Sequence, residues 1–532
     1  MPGAEDQRAV ADLCLVKLLV GPGTPGPVGA PSTQSGIGIE VWLPSPTAWN
    51  GRIHNVGGGG FVGQPEVIDP TQVVSSIGEG VAPSIIAGVE GAVSGYTDTG
   101  HRLPASGADG SFLMLPNGTV NSGQWRDFSE RGIHQLAVKT KELAASYYGR
   151  SADRSYFEGC STGGRQAHKE AQMFPDDYDG IVGGAPAMHW TRFITSELYP
   201  QLVMQRDLDG PMSPAKLLRV SSAAVSSCDV SGGRHMGYIL DPKSCRYDAT
   251  KDKTLLCSAD GGRDATAACL TRREALAVNK MWYGQTADGT VPDPAVANGF
   301  TTDLTKGYEW FGIPRGTQQM LAQSEAGQPT PFPIATHMIA LISGRSVLAD
   351  PTFHNATGDG SNGWKALTYP QLAAIADKGD QRQATFSHVN ADSPDLTRFE
   401  KRGGKFLAYH GLADQVIPPQ GTMRYYEALS RRAGGVAATR AFYRMLTVPG
   451  MGHCQGGGSV DGLKGVSPPA DPPLPARGQF YTALVNWVEK GQAPDALVFS
   501  NTQGEAHPVC EFPKTLHFVG GDTKKATSYR CS

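Results

Sequence analysis

The sequence lacks the features that would point to a membrane or a nucleic acid as partner. It has no run of about 18 apolar residues, the length that a membrane-spanning helix needs, and no run of lysine or arginine. Charged residues make up 18% of its 532 residues, and the formal net charge is −3. Because proteins that bind nucleic acids or anionic membranes usually carry basic clusters, we expect neither kind of partner.

The nine cysteines contain no C-x2-C pair, which argues against a structural zinc site. Three pairs are instead close enough along the chain to form local disulfides: Cys228 with Cys245, Cys257 with Cys269, and Cys510 with Cys531. Since disulfides persist in oxidising compartments, this pattern predicts a secreted, extracellular protein. Cys14 is left over, and a free buried thiol is one state open to it.

The N-terminus does not itself explain export. Met1–Asp6 has neither the basic region nor the apolar region of a signal peptide. We therefore interpret the sequence as a mature or trimmed form and infer secretion from the cysteines. The length leaves room for two domains.

The most informative motif is Gly159–Gly163, which reads GCSTG and matches the G-x-S-x-G pattern of a nucleophilic serine. Ser155–Glu158 before it is strand-like, and Gln166–Ala171 after it is helix-like. The glycines permit a tight turn that exposes the hydroxyl of Ser161. An ordinary glycine-rich turn is the alternative in a chain with 67 glycines.

A serine nucleophile needs a base and an acid that orients the base. The strand-like run Lys405–His410 is followed by Asp414, and the strand-like run Arg440–Leu446 is followed by His453. The chain order Ser, Asp, His is that of the α/β-hydrolases. We therefore predict a triad of Ser161, Asp414 and His453, the alternatives being a turn-forming aspartate and a solvated loop histidine.

An oxyanion hole requires two N–H donors. Thr162, directly after the nucleophile, supplies one in the usual hydrolase geometry. The second is expected in the glycine run that follows the strand-like Arg52–Val56, because glycines let a backbone approach the substrate closely. The choice among its members stays open: Gly58, Gly59 and Gly60.

Two cysteines flank the predicted triad. Cys160 directly precedes Ser161, and Cys454 directly follows His453. Closing the triad would bring the two cysteines together, so we predict a disulfide between them. Two free buried cysteines are the alternative.

This constellation resembles the tannase and feruloyl esterase family, which also includes mono(2-hydroxyethyl) terephthalate hydrolase. Further segments are similar to blocks of that family: Gly95–His101, Tyr156–Gln166, Asp179–Ala187 and Tyr409–Asp414. The resemblance, strongest to a bacterial feruloyl esterase, implies a secreted serine esterase with a hydrolase domain and a large lid. It implies an aromatic or plant cell-wall ester as substrate. Hydroxycinnamate esters are the leading expectation, and gallate or terephthalate esters the alternatives.

Two functions other than ester hydrolysis are alternatives for this chain. A catalytically silent binding protein would have little reason to keep Ser161, Asp414 and His453. An acyltransferase would use the same serine chemistry with an alcohol in place of water. The oligomeric state is left open.

The expected fold is an α/β-hydrolase with a lid inserted after the strand that follows the nucleophile helix. Strands such as Ile39–Leu43 alternate with helices such as Gly132–Tyr148, as in a parallel sheet. This alternation stops after Ala187 and resumes near Gly404. We therefore assign 1–187 and 400–532 to the catalytic domain and 188–399 to the lid.

Substrate contacts are expected from aromatic rings of the lid, which can grip an aromatic acyl group. The candidates are Trp190, Trp310 and Phe311, together with Phe193 and Trp364, and plain core packing is the alternative for each. Two lid arginines are considered as cations for a free carboxylate and are expected to be solvated: Arg315 and Arg345.

No cofactor or metal is expected. Members of the family often carry a calcium loop after the first lid cysteine. This chain keeps Asp229 there but has Gly232 and Met236 where carboxylates are expected, and Arg234 would repel a cation. Calcium needs roughly six to eight oxygen ligands, so we predict no calcium at this loop.

Overall fold

The structure is a computed structural model that describes residues 11–74, 80–102, 108–208, 210–495 and 497–532. Residues 1–10, the start of the expected catalytic segment, lie outside the described residues. The strands are β1 Leu13–Val20, β2 Ile37–Pro44, β3 Arg52–Val56, β4 Ser94–Thr97, β5 Arg154–Cys160, β6 Gly180–Gly184, β7 Val230–Ser231, β8 Arg234–His235, β9 Gly284–Thr286, β10 Tyr308–Phe311, β11 Ser324–Glu325, β12 Gln328–Pro329, β13 Lys405–Gly411, β14 Tyr443–Val448, β15 Val498–Ser500, β16 Ala506–Pro508, β17 Cys510–Glu511, β18 Leu516–Phe518 and β19 Tyr529–Cys531. The α-helices are α1 Pro83–Ile85, α2 Ser122–Arg126, α3 Gly132–Tyr148, α4 Thr162–Met173, α5 Trp190–Ser196, α6 Tyr199–Asp207, α7 Pro214–Cys228, α8 Arg272–Tyr283, α9 Pro333–Ser343, α10 Tyr369–Gln381, α11 Thr397–Lys401, α12 Pro419–Ala433, α13 Val436–Thr439 and α14 Gln479–Lys490.

A mixed central sheet organises the fold. Its strands lie in the order β17-β14-β13-β6-β5-β3. The run from β14 to β3 is parallel, and β17 joins the edge antiparallel to β14. β6 and β14 are buried along their whole length, as expected for parallel strands that are covered on both faces.

Helices cover both faces of this sheet. On one face, Leu484 and Trp487 of α14 belong to the same buried cluster as Val182 of β6 and Leu407 of β13. On the other face, residues of α4 and α12 pack with residues of β5, β6 and β13 in a second cluster. The chain is therefore an α/β sandwich in which the carboxyl ends of the parallel strands meet at one edge, the usual place for a site.

One strand departs from the sequence prediction. The run Ile39–Leu43 was expected in the parallel sheet, but the structure places it within β2, in a separate antiparallel sheet of order β1-β2-β4. The described connection from β1 to β2 contains no crossover helix, and without one the chain returns antiparallel. The two sheets meet where the Val93 carbonyl accepts a hydrogen bond from the His54 amide at 2.8 Å.

The chain between β6 and β13 contains α5 to α11 and several two- to four-residue strands. Trp190, Trp282 and Trp364 from this segment share one buried cluster with Val56 and Phe128 from the region before it. The segment is thus packed firmly onto the carboxyl edge of the central sheet. Within the described residues, no helix combines the length and the apolar character that crossing a membrane would require.

Candidate active site

Ser161 lies in a sharp turn between β5 and α4. Its φ of 61° and ψ of −121° are unusual for a residue with a side chain. The surrounding backbone holds this conformation, because the Ser161 amide donates to the carbonyl of Gly184 at 3.0 Å. The Ser161 carbonyl accepts from the amides of Arg165 and Ala187, each at 3.0 Å. The turn therefore fixes the serine at the carboxyl edge of the sheet.

The glycines of the motif are required by close packing. A Cβ atom on Gly159 would lie 2.6 Å from backbone atoms of Gly163, and one on Gly164 would lie 2.3 Å from the Gly184 carbonyl oxygen. Non-bonded atoms do not tolerate such distances. Gly159 of the motif and the adjacent Gly164 are therefore steric conditions for the turn that presents Ser161.

Asp414 and His453 follow the next strands of the sheet, β13 and β14. The His453 Nδ1 atom is 2.9 Å from Asp414 Oδ2, a hydrogen bond in which the imidazole donates. The His453 amide donates to the side-chain oxygen of Gln415 at 3.1 Å, which holds the base loop. Nδ1 is therefore protonated, and Nε2 is left as the basic atom.

Sequence reasoning missed a second histidine on the same carboxylate. His410 Nε2 lies 3.1 Å from Asp414 Oδ2, and His410 Nδ1 lies 2.8 Å from the Thr422 hydroxyl. The amides of Val416 and Ile417 donate to Asp414 Oδ1 at 2.8 and 2.9 Å. The sequence could have indicated this contact, because His410 stands four residues before the predicted acid, at the end of a strand-like run.

These contacts settle the charge of Asp414. Burial opposes ionisation, but the charge of His453 and the hydrogen bonds from His410 and His453 outweigh it, so the pKa of Asp414 is held well below its ordinary value. The carboxylate is thus ionised whenever the imidazole has to be oriented.

The disulfide expected beside the triad is present. Cys160 and Cys454 are bonded with a Cα–Cα distance of 5.7 Å, across a separation of 294 residues. Because the two cysteines are the direct neighbours of Ser161 and His453, the bond ties the nucleophile turn to the base loop. Both triad residues line the same cavity.

The other three expected disulfides are also present, namely Cys228–Cys245, Cys257–Cys269 and Cys510–Cys531. Cys14 is the free cysteine among the described residues and is partly exposed. The local spacing was sufficient to predict these pairs.

The glycine run 57–60 lies at the cavity beside Ser161 and Thr162. The Gly58 amide donates to the side-chain oxygen of Gln166 at 3.1 Å, so this N–H already has an acceptor within the chain. The Thr162 hydroxyl donates to the Gly60 carbonyl at 2.5 Å, which anchors the run to the nucleophile helix. Of the three glycines expected as candidates, Gly58 thus has its amide engaged within the chain.

The cavity has a volume of about 730 Å³. One wall belongs to the segment between β6 and β13, including Trp190, Phe193 and Ile334. The opposite rim is the loop 474–479 before α14, which contains Arg477. The cleft thus combines an apolar wall with polar groups, as small-molecule sites commonly do.

Trp190 is held in this wall by a buried cation that sequence reasoning missed. The Arg165 guanidinium carbon lies 5.3 Å from the Trp190 ring and 4.6 Å from the Phe128 ring. The guanidinium N–H groups of Arg165 donate to the carbonyls of Phe128 and Ser129 at 3.0 and 3.2 Å. Burial lowers the pKa of Arg165 to about 9. The nucleophile helix thus positions an aromatic wall residue as well as the serine.

Other expected substrate contacts lie elsewhere. Trp310 and Phe311 are buried in β10 and are not among the described residues that line the cavity. Both rings belong to the large buried cluster that contains the core of the inserted segment. Trp364 is fully buried in that core. Trp190 is equally buried, so only the packing of the folded segment separates the ring that lines the cavity from the rings that do not.

The two expected cations are also outside the cavity lining. Arg315 is buried rather than solvated, because it donates to the carbonyls of Tyr247 and Asn298 and lies 5.3 Å from the Trp282 ring. Arg345 is exposed, as predicted. Neither arginine faces the cavity.

The loop that keeps Asp229 is organised by hydrogen bonds within the chain. Asp229 Oδ1 is 2.5 Å from His235 Nδ1, and Oδ2 accepts from the Gly237 amide at 2.9 Å. Both carboxylate oxygens are thus engaged, and the described residues contain no cluster of three or more acidic, histidine or cysteine side chains suited to a metal.

Behind the glycine run, His54 of β3 is buried between two carboxylates. Its Nδ1 is 2.9 Å from Glu90 and its Nε2 is 3.3 Å from Glu158, while its ring stacks on Tyr481 at 3.8 Å. Burial opposes the charge of His54, but the hydrogen bonds and charges of Glu158 and Glu90 raise its pKa to about 9. A charged imidazolium therefore supports the strand that leads into the oxyanion loop.

This cluster predicts a pH-dependent stability. Since the pKa of His54 is raised above the ordinary 6.5 to about 9, its contribution is complete below pH 6.5 and is lost as the pH rises through about 9. We expect the difference in unfolding free energy between wild type and His54→Gln to fall by about 3 kcal/mol from pH 6 to pH 10. Urea unfolding across this range measures it.

His354→Gln is the control, because His354 is exposed. A difference between wild type and His54→Gln that stays constant from pH 6 to pH 10 would show that His54 is not charged in the folded protein.

Comparisons with known proteins identify the family of the chain. The sequence model of the family described as tannase and feruloyl esterase matches residues 28–532. The chain is 31% identical to a probable feruloyl esterase of Arthroderma benhamiae, covering 93% of this chain and 82% of the relative. It is 29% identical to an uncharacterized esterase of Xanthomonas campestris, covering 95% and 83%. The crystal structure of feruloyl esterase B from Aspergillus oryzae shares the fold with a TM-score of 0.69 at 24% identity, covering 98% of this chain and 96% of that one.

The fold and these similarities define an ester hydrolase. The chain belongs to the tannase and feruloyl esterase family.

Proposed function

We propose that the chain is a serine carboxylic-ester hydrolase that cleaves aromatic esters of the hydroxycinnamate type. The observation that carries this proposal is the hydrogen bond from His453 to Asp414, together with the Cys160–Cys454 bond that ties the loop of His453 to the turn of Ser161. The apolar cavity beside these residues has the size and character for an aromatic acid.

The mechanism is acyl transfer in two steps. His453 removes the Ser161 hydroxyl proton as the oxygen attacks the ester carbonyl, and Asp414 stabilises the imidazolium that forms. The Thr162 amide and a donor from Gly59 or Gly60 stabilise the oxyanion. His453 then returns the proton to the leaving alcohol. Water repeats the sequence and releases the acid.

The segment 188–399 is proposed to act as a lid that sets substrate choice, with 1–187 and 400–532 as the catalytic part. Trp190, Phe193 and Ile334 support this role, since they bring apolar walls from the segment to the cavity of Ser161. The four disulfides support secretion, because such bonds persist outside reducing compartments.

No cofactor is needed for this chemistry, and the engaged oxygens of Asp229 support the absence of calcium from its loop. Stoichiometric calcium uptake by the metal-stripped protein in a calorimetric titration would contradict this part of the proposal.

The proposal is tested by hydrolysis of methyl ferulate, methyl gallate and mono(2-hydroxyethyl) terephthalate. We expect the highest kcat/KM for methyl ferulate, because the cavity wall is largely apolar. A product assay with added alcohols separates hydrolysis from acyl transfer. If the folded wild type cleaves none of the three esters, the aromatic-esterase assignment fails.

A second candidate is hydrolysis of a terephthalate monoester, which Arg477 favours. Of the described cavity-lining residues, Arg477 is the one lysine or arginine, and a free carboxylate on the substrate would seek such a cation. Arg477 is exposed, so water screens its attraction, and we rank this function second. Preference for the terephthalate ester, lost in Arg477→Ala, would reverse the order.

A further inference from the structure

One polar side chain of the cavity wall has no role in the acyl-transfer steps. Glu197 directly follows α5, the helix that brings Trp190 and Phe193 to the cavity, and it lines the same cavity. Its amide donates to the Phe193 carbonyl at 3.0 Å, which holds it in register with the helix. The residue is only 2% exposed.

Neither carboxyl oxygen of Glu197 has a hydrogen-bond partner among the described residues. Buried polar atoms without partners are rare because each one destabilises the fold. Around Glu197 the wall is apolar, with Ile194, Val416 and Ile417 also lining the cavity. An unpartnered carboxyl in such a wall is suited to a polar group of a bound molecule.

The charge state of Glu197 determines which polar group of a ligand it can bind. Burial, followed by the negative charge of Asp414, raises the pKa of Glu197 well above its ordinary value. Burial and the neighbouring charge of Asp414 thus favour the neutral carboxylic acid form of Glu197, which has one O–H donor and one carbonyl acceptor. It can donate to one oxygen of a ligand and accept from a neighbouring hydroxyl, and it offers no attraction for a carboxylate.

We propose that Glu197 is a specificity-determining residue that binds the phenolic oxygens of the aromatic acid, with preference for a ring that carries two adjacent oxygens. This inference rests on the proposed function, because it assumes that an aromatic ester occupies the cavity. It deepens that function by naming the ring substituents that the cavity selects.

Methyl caffeate and methyl cinnamate form a matched pair for the test, since caffeate has two adjacent phenolic hydroxyls and cinnamate has none. We expect the wild type to prefer caffeate. In Glu197→Leu the ratio of kcat/KM for caffeate to that for cinnamate should fall about tenfold or more, while kcat/KM for cinnamate stays within about threefold of wild type. Glu197→Gln keeps a neutral donor and acceptor and should preserve most of the ratio.

The possible outcomes distinguish a failure of this inference from a failure of the proposed function. Equal losses on both esters in Glu197→Leu would give Glu197 a structural role and overturn the inference, and so would an unchanged ratio. A wild type that cleaves both esters equally fast would overturn it while leaving the proposed function intact. A folded wild type that cleaves neither ester would overturn the proposed function itself. Melting temperatures, with cinnamate hydrolysis, show that each variant is folded.

Discussion

Replacing Ser161 with alanine is expected to lower kcat for the preferred aromatic ester by at least about 10⁴-fold. The variant lacks the nucleophile, so His453 and Asp414 have no hydroxyl to activate, and only the oxyanion donors and substrate binding remain. KM should change little, since the hydroxyl contributes little to binding of the ground state. Steady-state kinetics with purified wild type and Ser161→Ala measure both constants.

Ser151→Ala is a suitable control, because Ser151 is exposed and lies just before β5. It should keep full activity, and all three proteins should melt within a few degrees of one another. More than about 1% of wild-type kcat in a folded Ser161→Ala protein would mean that another group is the nucleophile.

The second large effect is expected from removing the bond between Cys160 and Cys454. This bond closes a loop with a sequence separation of 294 and so restricts the unfolded chain strongly. In the double Cys→Ser variant, the free energy of unfolding should fall by about 3–5 kcal/mol. kcat should fall as well, because the turn of Ser161 and the loop of His453 lose their common anchor. Chemical unfolding and ester hydrolysis measure the two effects.

The matched control is the double Cys→Ser variant of Cys257 and Cys269. That bond has a sequence separation of only 12, and neither cysteine is among the described residues that line the cavity. It should lower stability by less and leave kcat nearly unchanged. If removing Cys160–Cys454 changes neither stability nor kcat, packing alone positions the triad.

Local patterns predicted much of the catalytic part. The residues around Ser161 are constrained by one tight turn, so glycine spacing and the adjoining strand and helix could be read from a short segment. Asp414 and His453 each follow a buried strand, which made their place at the sheet edge predictable. The disulfide partners followed from short separations or from adjacency to these residues.

The cavity wall was less predictable, because it depends on how the segment between β6 and β13 packs. Trp190 and Trp310 are both buried aromatic residues of this segment, yet of the two only Trp190 is among the described residues that line the cavity. Glu197 has no sequence signal, since its role depends on burial next to Asp414. His410 was within a recognisable motif, but its hydrogen bond to the acid becomes visible only when β13 and its following loop are folded.

The catalytic turn and much of the cavity wall come from different parts of the chain, and this matters for engineering the enzyme. The turn of Ser161 is fixed by backbone contacts of Gly159 and Gly164 that leave no room for other residues. Much of the wall comes instead from side chains of a different stretch of chain, such as Phe193 and Ile334. A mutant library should therefore leave the glycine turn untouched and randomise these wall positions, where new ester preferences can be selected without dismantling the chemistry.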